Sequence, residues 1–83
     1  MTLPYYKLPE CVRGTIQRYI EDGSPCGHFM NAVFANDLFG AIGRADETNL
    51  RNLVQYVKWI YCNAPSECYG SYNQLNKWLK KKQ

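Results

Sequence analysis

Residues 46–65, DETNLRNLVQYVKWIYCNAP, decide the fold. Leu50, Leu53, Val54, Val57, Ile60 and Tyr61 recur at the three- and four-residue intervals that gather side chains onto one face of an α-helix. Asp46 supplies a side-chain acceptor for the free amides of a first helical turn, Glu47 suits the positive end of the helix dipole, and Asn49 stands three residues after the cap. At the other end Pro65 has no amide to donate and disfavours helical backbone before it. The segment predicts a helix over 46–62 that Asn63–Pro65 terminates.

The flanking sequence carries the same kind of punctuation. Pro9 suits the first turn of a helix in which Val12, Ile16, Tyr19 and Ile20 share a face, and Gly23 ends it. Gly14, inside that helix, costs about 1 kcal/mol relative to alanine and implies a close backbone approach. After the turn GSPCG (23–27) a second helix starts near His28, with Phe29, Met30, Val33 and Phe34 as its apolar face. Leu38, Ala41 and Ile42 extend that face, and Gly40 and Gly43 mark where the helix weakens and ends. Ser71 and Gln74 form an S-x-x-Q capping box for a last helix whose stripe is Leu75, Trp78 and Leu79. No segment alternates with period two. The expected fold is all-α: one domain over residues 1–83, a small bundle of about four short helices packed around the helix at 46–62.

Composition narrows the functional classes. The 83 residues are 46% hydrophobic and 20% charged, which is a globular balance. A chain of this length buries only about 60–65% of its unfolded surface, so self-association is expected to share the load. Seven Tyr and two Trp favour contact surfaces, because each joins a large apolar body to a polar tip. The formal charge of +3 is concentrated in Lys77, Lys80, Lys81 and Lys82, which suit a helix C-terminus or an acidic partner such as nucleic acid. No stretch is long and apolar enough for a membrane span, and the first ten residues do not read as a signal peptide. Cys11, Cys26, Cys62 and Cys68 are therefore expected to be reduced thiols of a cytoplasmic protein.

Little in the sequence points to catalysis. His28 is the only histidine, and two residues from Cys26 it does not face that thiol on a regular helix. The Cys and His spacings match no common zinc arrangement, no metal or other cofactor is implied, and hydrolase, nucleotidase and metalloprotease signatures are missing. GAIG (40–43) has the form of a nucleotide-clamping G-x-x-G loop, but that module needs a sheet. Within FANDLFGAIGRADETN (34–49), one reading makes Asn36 and Asp37 a cap and Arg44 with Asp46 a surface pair. The other has the glycines admitting a ligand or second chain to the backbone, with Asn36, Asp37 and Arg44 supplying hydrogen bonds. Tyr69 and Tyr72 flank Gly70 at a helix start and form a second candidate surface.

A wider pattern joins these stretches. Phe29, Ala32, Val33, Asn36, Asp37, Leu38, Ala41, Arg44, Ala45, Asp46 and Asn49 match F-L-x-A-V-L-x-N-D-L-x-x-A-x-x-R-A-D-x-x-N, and Trp59, Tyr61, Ala64, Pro65, Gly70 and Ser71 match its later W-L-Y-x-x-A-P and W-G-S segments. In these positions the chain resembles a family of small uncharacterised bacteriophage and prophage proteins. Cys26 and Gly27 stand where that family has proline and glycine, and Tyr69 where it has tryptophan. The resemblance implies a viral origin and expression inside a bacterial host cell. There, small accessory proteins act by binding host proteins or nucleotide-like immune signals.

The expected function is thus non-enzymatic: a homo-oligomeric binding protein that sequesters a nucleotide-like host signal at a subunit interface. Arg44 or Arg51 would meet phosphate, Asn36 and Asp37 would read polar edges, and Tyr69 or Tyr72 would stack. The alternatives are a helical regulator that occupies a host enzyme and a nucleic-acid binder working through the C-terminal lysines.

Overall fold

The computed structural model describes residues 3–82. Five α-helices and two short 3₁₀ turns make up the described residues, and no strand is found among them. A 3₁₀ turn at Tyr5–Lys7 leads into α1 (Glu10–Asp22), α2 (Gly27–Phe34), α3 (Leu38–Arg44) and α4 (Glu47–Asn63). A second 3₁₀ turn at Ser66–Cys68 precedes α5 (Tyr72–Lys82).

Most helix ends have the predicted causes. Gly23 adopts a left-handed conformation (φ 69°), and its amide and that of Ser24 return to the Tyr19 and Arg18 carbonyls, closing α1. Asp46 caps α4 by accepting the Asn49 amide at 2.7 Å. Ser71 accepts the Gln74 amide at 3.0 Å, whereas the Gln74 side chain donates to the Glu67 carbonyl, so only half of the expected capping box forms.

Residues 28–44 are two helices rather than one. The break falls at Ala35–Asp37, where Asn36 takes a left-handed conformation (φ 60°) and Asp37 caps the next helix. Gly40 and Gly43, expected to end the second helix, lie inside α3. Gly40 is needed for another reason: a methyl group there would overlap the Asp37 carboxylate folded over it. Gly14 marks no close backbone approach either, since a Cβ at that position meets only the flexible guanidinium of Arg18.

The core is centred on α1. Tyr19, Ile16, Phe34 and Tyr56 have no exposed surface, and Tyr19 and Phe34 pack with ring centroids 4.2 Å apart. The Tyr19 hydroxyl donates to the Cys68 carbonyl at 2.7 Å, and the Trp78 indole donates to the Tyr19 carbonyl at 3.0 Å. The close backbone packing lies among α1, α2, α3 and α5. In place of the central position expected for it, α4 reaches the core through the long side chains of Tyr56, Trp59 and Ile60. Trp59 is fixed by its indole N–H on the Pro4 carbonyl at 3.0 Å and by Tyr5, 5.4 Å away between ring centroids.

The buried face of α4 is not the predicted one. Leu53 and Ile60 are buried as expected, but Leu50, Val54, Val57 and Tyr61 point away from the core, while Tyr56 and Trp59 point into it. The helix is apolar on two faces, and only one is covered.

Replacing Tyr19 with Phe is expected to keep the packing and orphan the Cys68 carbonyl. The predicted loss is about 1–3 kcal/mol, readable as a lower urea midpoint at unchanged slope.

Candidate functional site

The turn between α2 and α3 positions most of the polar residues of interest. The Asp37 amide donates to the Ala32 carbonyl at 2.8 Å, which holds the turn against α2. One Asp37 carboxylate oxygen accepts the Gly40 amide at 2.9 Å, and the other accepts the Tyr72 hydroxyl at 2.6 Å. Arg44, one turn along α3, donates to the Gly40 carbonyl at 3.4 Å. The cluster fastens the start of α3 to the start of α5. It is possible only because the Gly70 amide donates to the Phe34 carbonyl at 2.8 Å, bringing the residues before α5 beside the end of α2.

Charge is tuned accordingly. The Tyr72 hydroxyl, then the Gly40 amide, then the Arg44 guanidinium hold the Asp37 carboxyl below the ordinary carboxylate range. The same bond raises the Tyr72 phenol, since ionising it would put two anions together.

Beside this cluster lies an apolar recess of about 220 Å³, walled by Val33, Phe34, Val57 and Tyr61, with Asn36 and Tyr69 among its other lining residues. A second hollow of about 170 Å³ shares Val33, Asn36 and Val57 and continues to Leu38, Ala41 and Leu53. Together they form a groove between α4 and the α2–α3 turn, with Asn36 common to both halves. Each half is smaller than the ~300–1,000 Å³ of usual small-molecule sites and suits single side chains.

Five of the six expected site residues are thus brought together. Asn36 and Tyr69 line the recess, and Asp37, Arg44 and Tyr72 form the adjoining cluster. Arg51 is elsewhere: it lines none of the groove and pairs with Glu47 at 3.4 Å on the exposed side of α4. Asn36 and Asp37 also have structural work, one as the left-handed link and the other as the cap of α3. Sequence reasoning missed the exposed apolar residues beside the groove. Phe39 is 88% exposed, Tyr61 76% and Val54 71%, with Leu38, Ile42, Leu50 and Val57 also at the surface. The signal was present in the width of the α4 stripe, which spans more of the helix than one buried face needs.

The remaining chemistry-bearing residues lie on other parts of the surface. Cys11, Cys26 and His28 border a separate cleft of about 470 Å³ with Asp46 and Asn49. The Cys26 thiol is buried, donates to Asn31 Oδ1 at 3.1 Å and is pushed by burial up to about 12, so it is not held as a thiolate. No group of three His, Cys, Asp or Glu side chains among the described residues is placed to hold a metal ion. At the C-terminus Lys81 pairs with Glu67 at 2.7 Å, and the Lys82 ammonium lies 4.8 Å above the Trp78 ring centre. No helix among the described residues is long and apolar enough to cross a membrane. The chain matches no described protein family, no curated protein and no solved structure.

The Asp37–Tyr72 bond predicts opposite pH limbs. Asp37 is depressed, so its stabilisation is present above the unfolded value of about 4 and is lost as pH falls through the lower folded value. Tyr72 is raised, so its contribution is present below about 10 and is lost as pH rises through the folded value. Asp37→Asn is expected to remove one share of each limb of thermal stability, while Tyr19, Cys26 and Cys68, raised by burial, keep theirs on the alkaline side. Glu67, depressed by Lys81, retains its share of the acid limb.

Proposed function

We propose that this chain is a non-enzymatic binding module whose working surface is the α3–α4 face, and that it takes a protein as its partner. The carrying observation is the set of exposed large apolar side chains on these two helices, Leu38, Phe39 and Ile42 of α3 and Leu50, Val54, Val57 and Tyr61 of α4, with Leu38 and Val57 lining one hollow. Exposed large apolar residues gathered on one side of a small soluble domain mark interaction surfaces more often than scattered single ones do. The groove beside them supplies hollows of side-chain size, as anchor residues of interfaces require. The resemblance to phage proteins supports a bacterial host cell as the setting and a host protein as the partner.

A nucleotide-like ligand has one observation in its favour: Asn36 and Tyr69 on the same recess. Against it, no lysine or arginine lines either half of the groove, so a phosphate there would lack a counter-charge. Self-association, also expected, would draw on the same α3–α4 face.

Native mass spectrometry of the chain expressed in bacteria tests the proposal, with Tyr61→Asp as the comparison. Tyr61 is exposed, so the variant is expected to stay within about 0.5 kcal/mol of the parent in stability. The expected result is a stoichiometric protein complex for the parent that the variant loses. A retained small molecule of nucleotide mass, unaffected by the variant, would overturn it.

A further inference from the structure

The exposed residues of α4 follow a spacing that says what kind of protein segment fits them. Leu50, Val54, Val57 and Tyr61 are separated by four, three and four residues, the seam of a coiled coil rather than a scattered patch. In that register Leu53 and Ile60, which each precede a seam residue on one side, are buried in the core. That flank is therefore closed by the protein itself. The opposite flank is open and carries Arg51 and Lys58, each one residue after a seam position and each exposed. An amphipathic helix laid on the seam buries its own apolar stripe and places its flanking residues against these two cations.

Charge also separates the candidate occupants. A second copy laid antiparallel on the seam would set Arg51 and Lys58 against their own counterparts, and like charges across an interface are costly. Arg51 has a carboxylate partner in Glu47, but that pair is 3.4 Å long with both side chains mostly in solvent, so a partner carboxylate can replace it at little cost. Lys58 has no carboxylate partner within salt-bridge distance among the described residues. On this basis, which rests on the α3–α4 face being the working surface, we infer that the partner presents a single amphipathic helix of about three turns whose apolar stripe is flanked by Asp or Glu.

Two synthetic helices of three heptads provide the probes, identical in their Leu/Ile seam and carrying either Glu or Lys at the flanking positions. Binding is read by fluorescence anisotropy at low and at physiological salt. The Glu-flanked peptide is expected to bind at least about tenfold tighter at low salt, with the gap narrowing as salt rises. Arg51→Glu combined with Lys58→Glu should reverse the order, and Val54→Asp should abolish binding of both peptides while the circular-dichroism melt stays unchanged. Equal affinities for the two peptides would overturn the acidic-flank inference and leave the docking face standing. Failure of both peptides to bind, with a native complex insensitive to Val54→Asp, would overturn the docking face as well. A homodimer that Val54→Asp dissociates would overturn the inference in favour of a second copy.

Discussion

Tyr19 is the constraint on which the rest of the structure depends. Its ring is fully buried against Phe34 of α2, its hydroxyl must find a partner in the core and takes the Cys68 carbonyl, and its own carbonyl receives the Trp78 indole. One side chain and its backbone therefore tie α1 to α2, to the second 3₁₀ turn and to α5. The arrangement has little slack, because each of those bonds lies out of reach of water that could replace it. Once Phe34 is held there, its carbonyl accepts the Gly70 amide, and the segment between α2 and α3 has to turn beside the start of α5. The groove and the Asp37–Tyr72 cluster follow from that placement.

α4 obeys a different constraint. A domain of this size has only one core, and only one face of the seventeen-residue α4 is buried against it. The covered face is the one carrying Tyr56 and Trp59, whose rings reach across a gap that the backbone does not close, and whose polar tips find Asn49 Oδ1 and the Pro4 carbonyl. Leu50, Val54, Val57 and Tyr61 are shorter, or face away from these partners, and remain in solvent. An apolar seam that none of the described residues covers is the physical basis for reading that face as a binding surface.

Local chemistry was legible where a side chain acts on its own backbone. Asp46, Ser71 and Gly23 mark ends of α4, α5 and α1 by short-range bonds or by a left-handed conformation, and all three positions follow from residue type and spacing. The break before α3 was not legible in the same way. It is made by Asn36, a residue tolerated but not required in the left-handed region, while the glycines that looked like breakers serve the Asp37 cap instead. Of the candidate site, Asn36, Asp37 and Arg44 were near one another already because they are near in sequence. Tyr72 joins them across thirty-five residues only through the Gly70–Phe34 bond, and Arg51 falls outside because its turn of α4 faces solvent.

By itself, then, the sequence determined that this protein is helical and where most helices begin and end. These properties depend on intervals of three and four residues and on caps within a turn, whose partners lie close by in the sequence. The tertiary structure alone decided which face of α4 is covered and which polar residues share a cluster. Both depend on where Tyr19 and Trp59 find partners for their buried polar tips, at carbonyls forty-nine and fifty-five residues away.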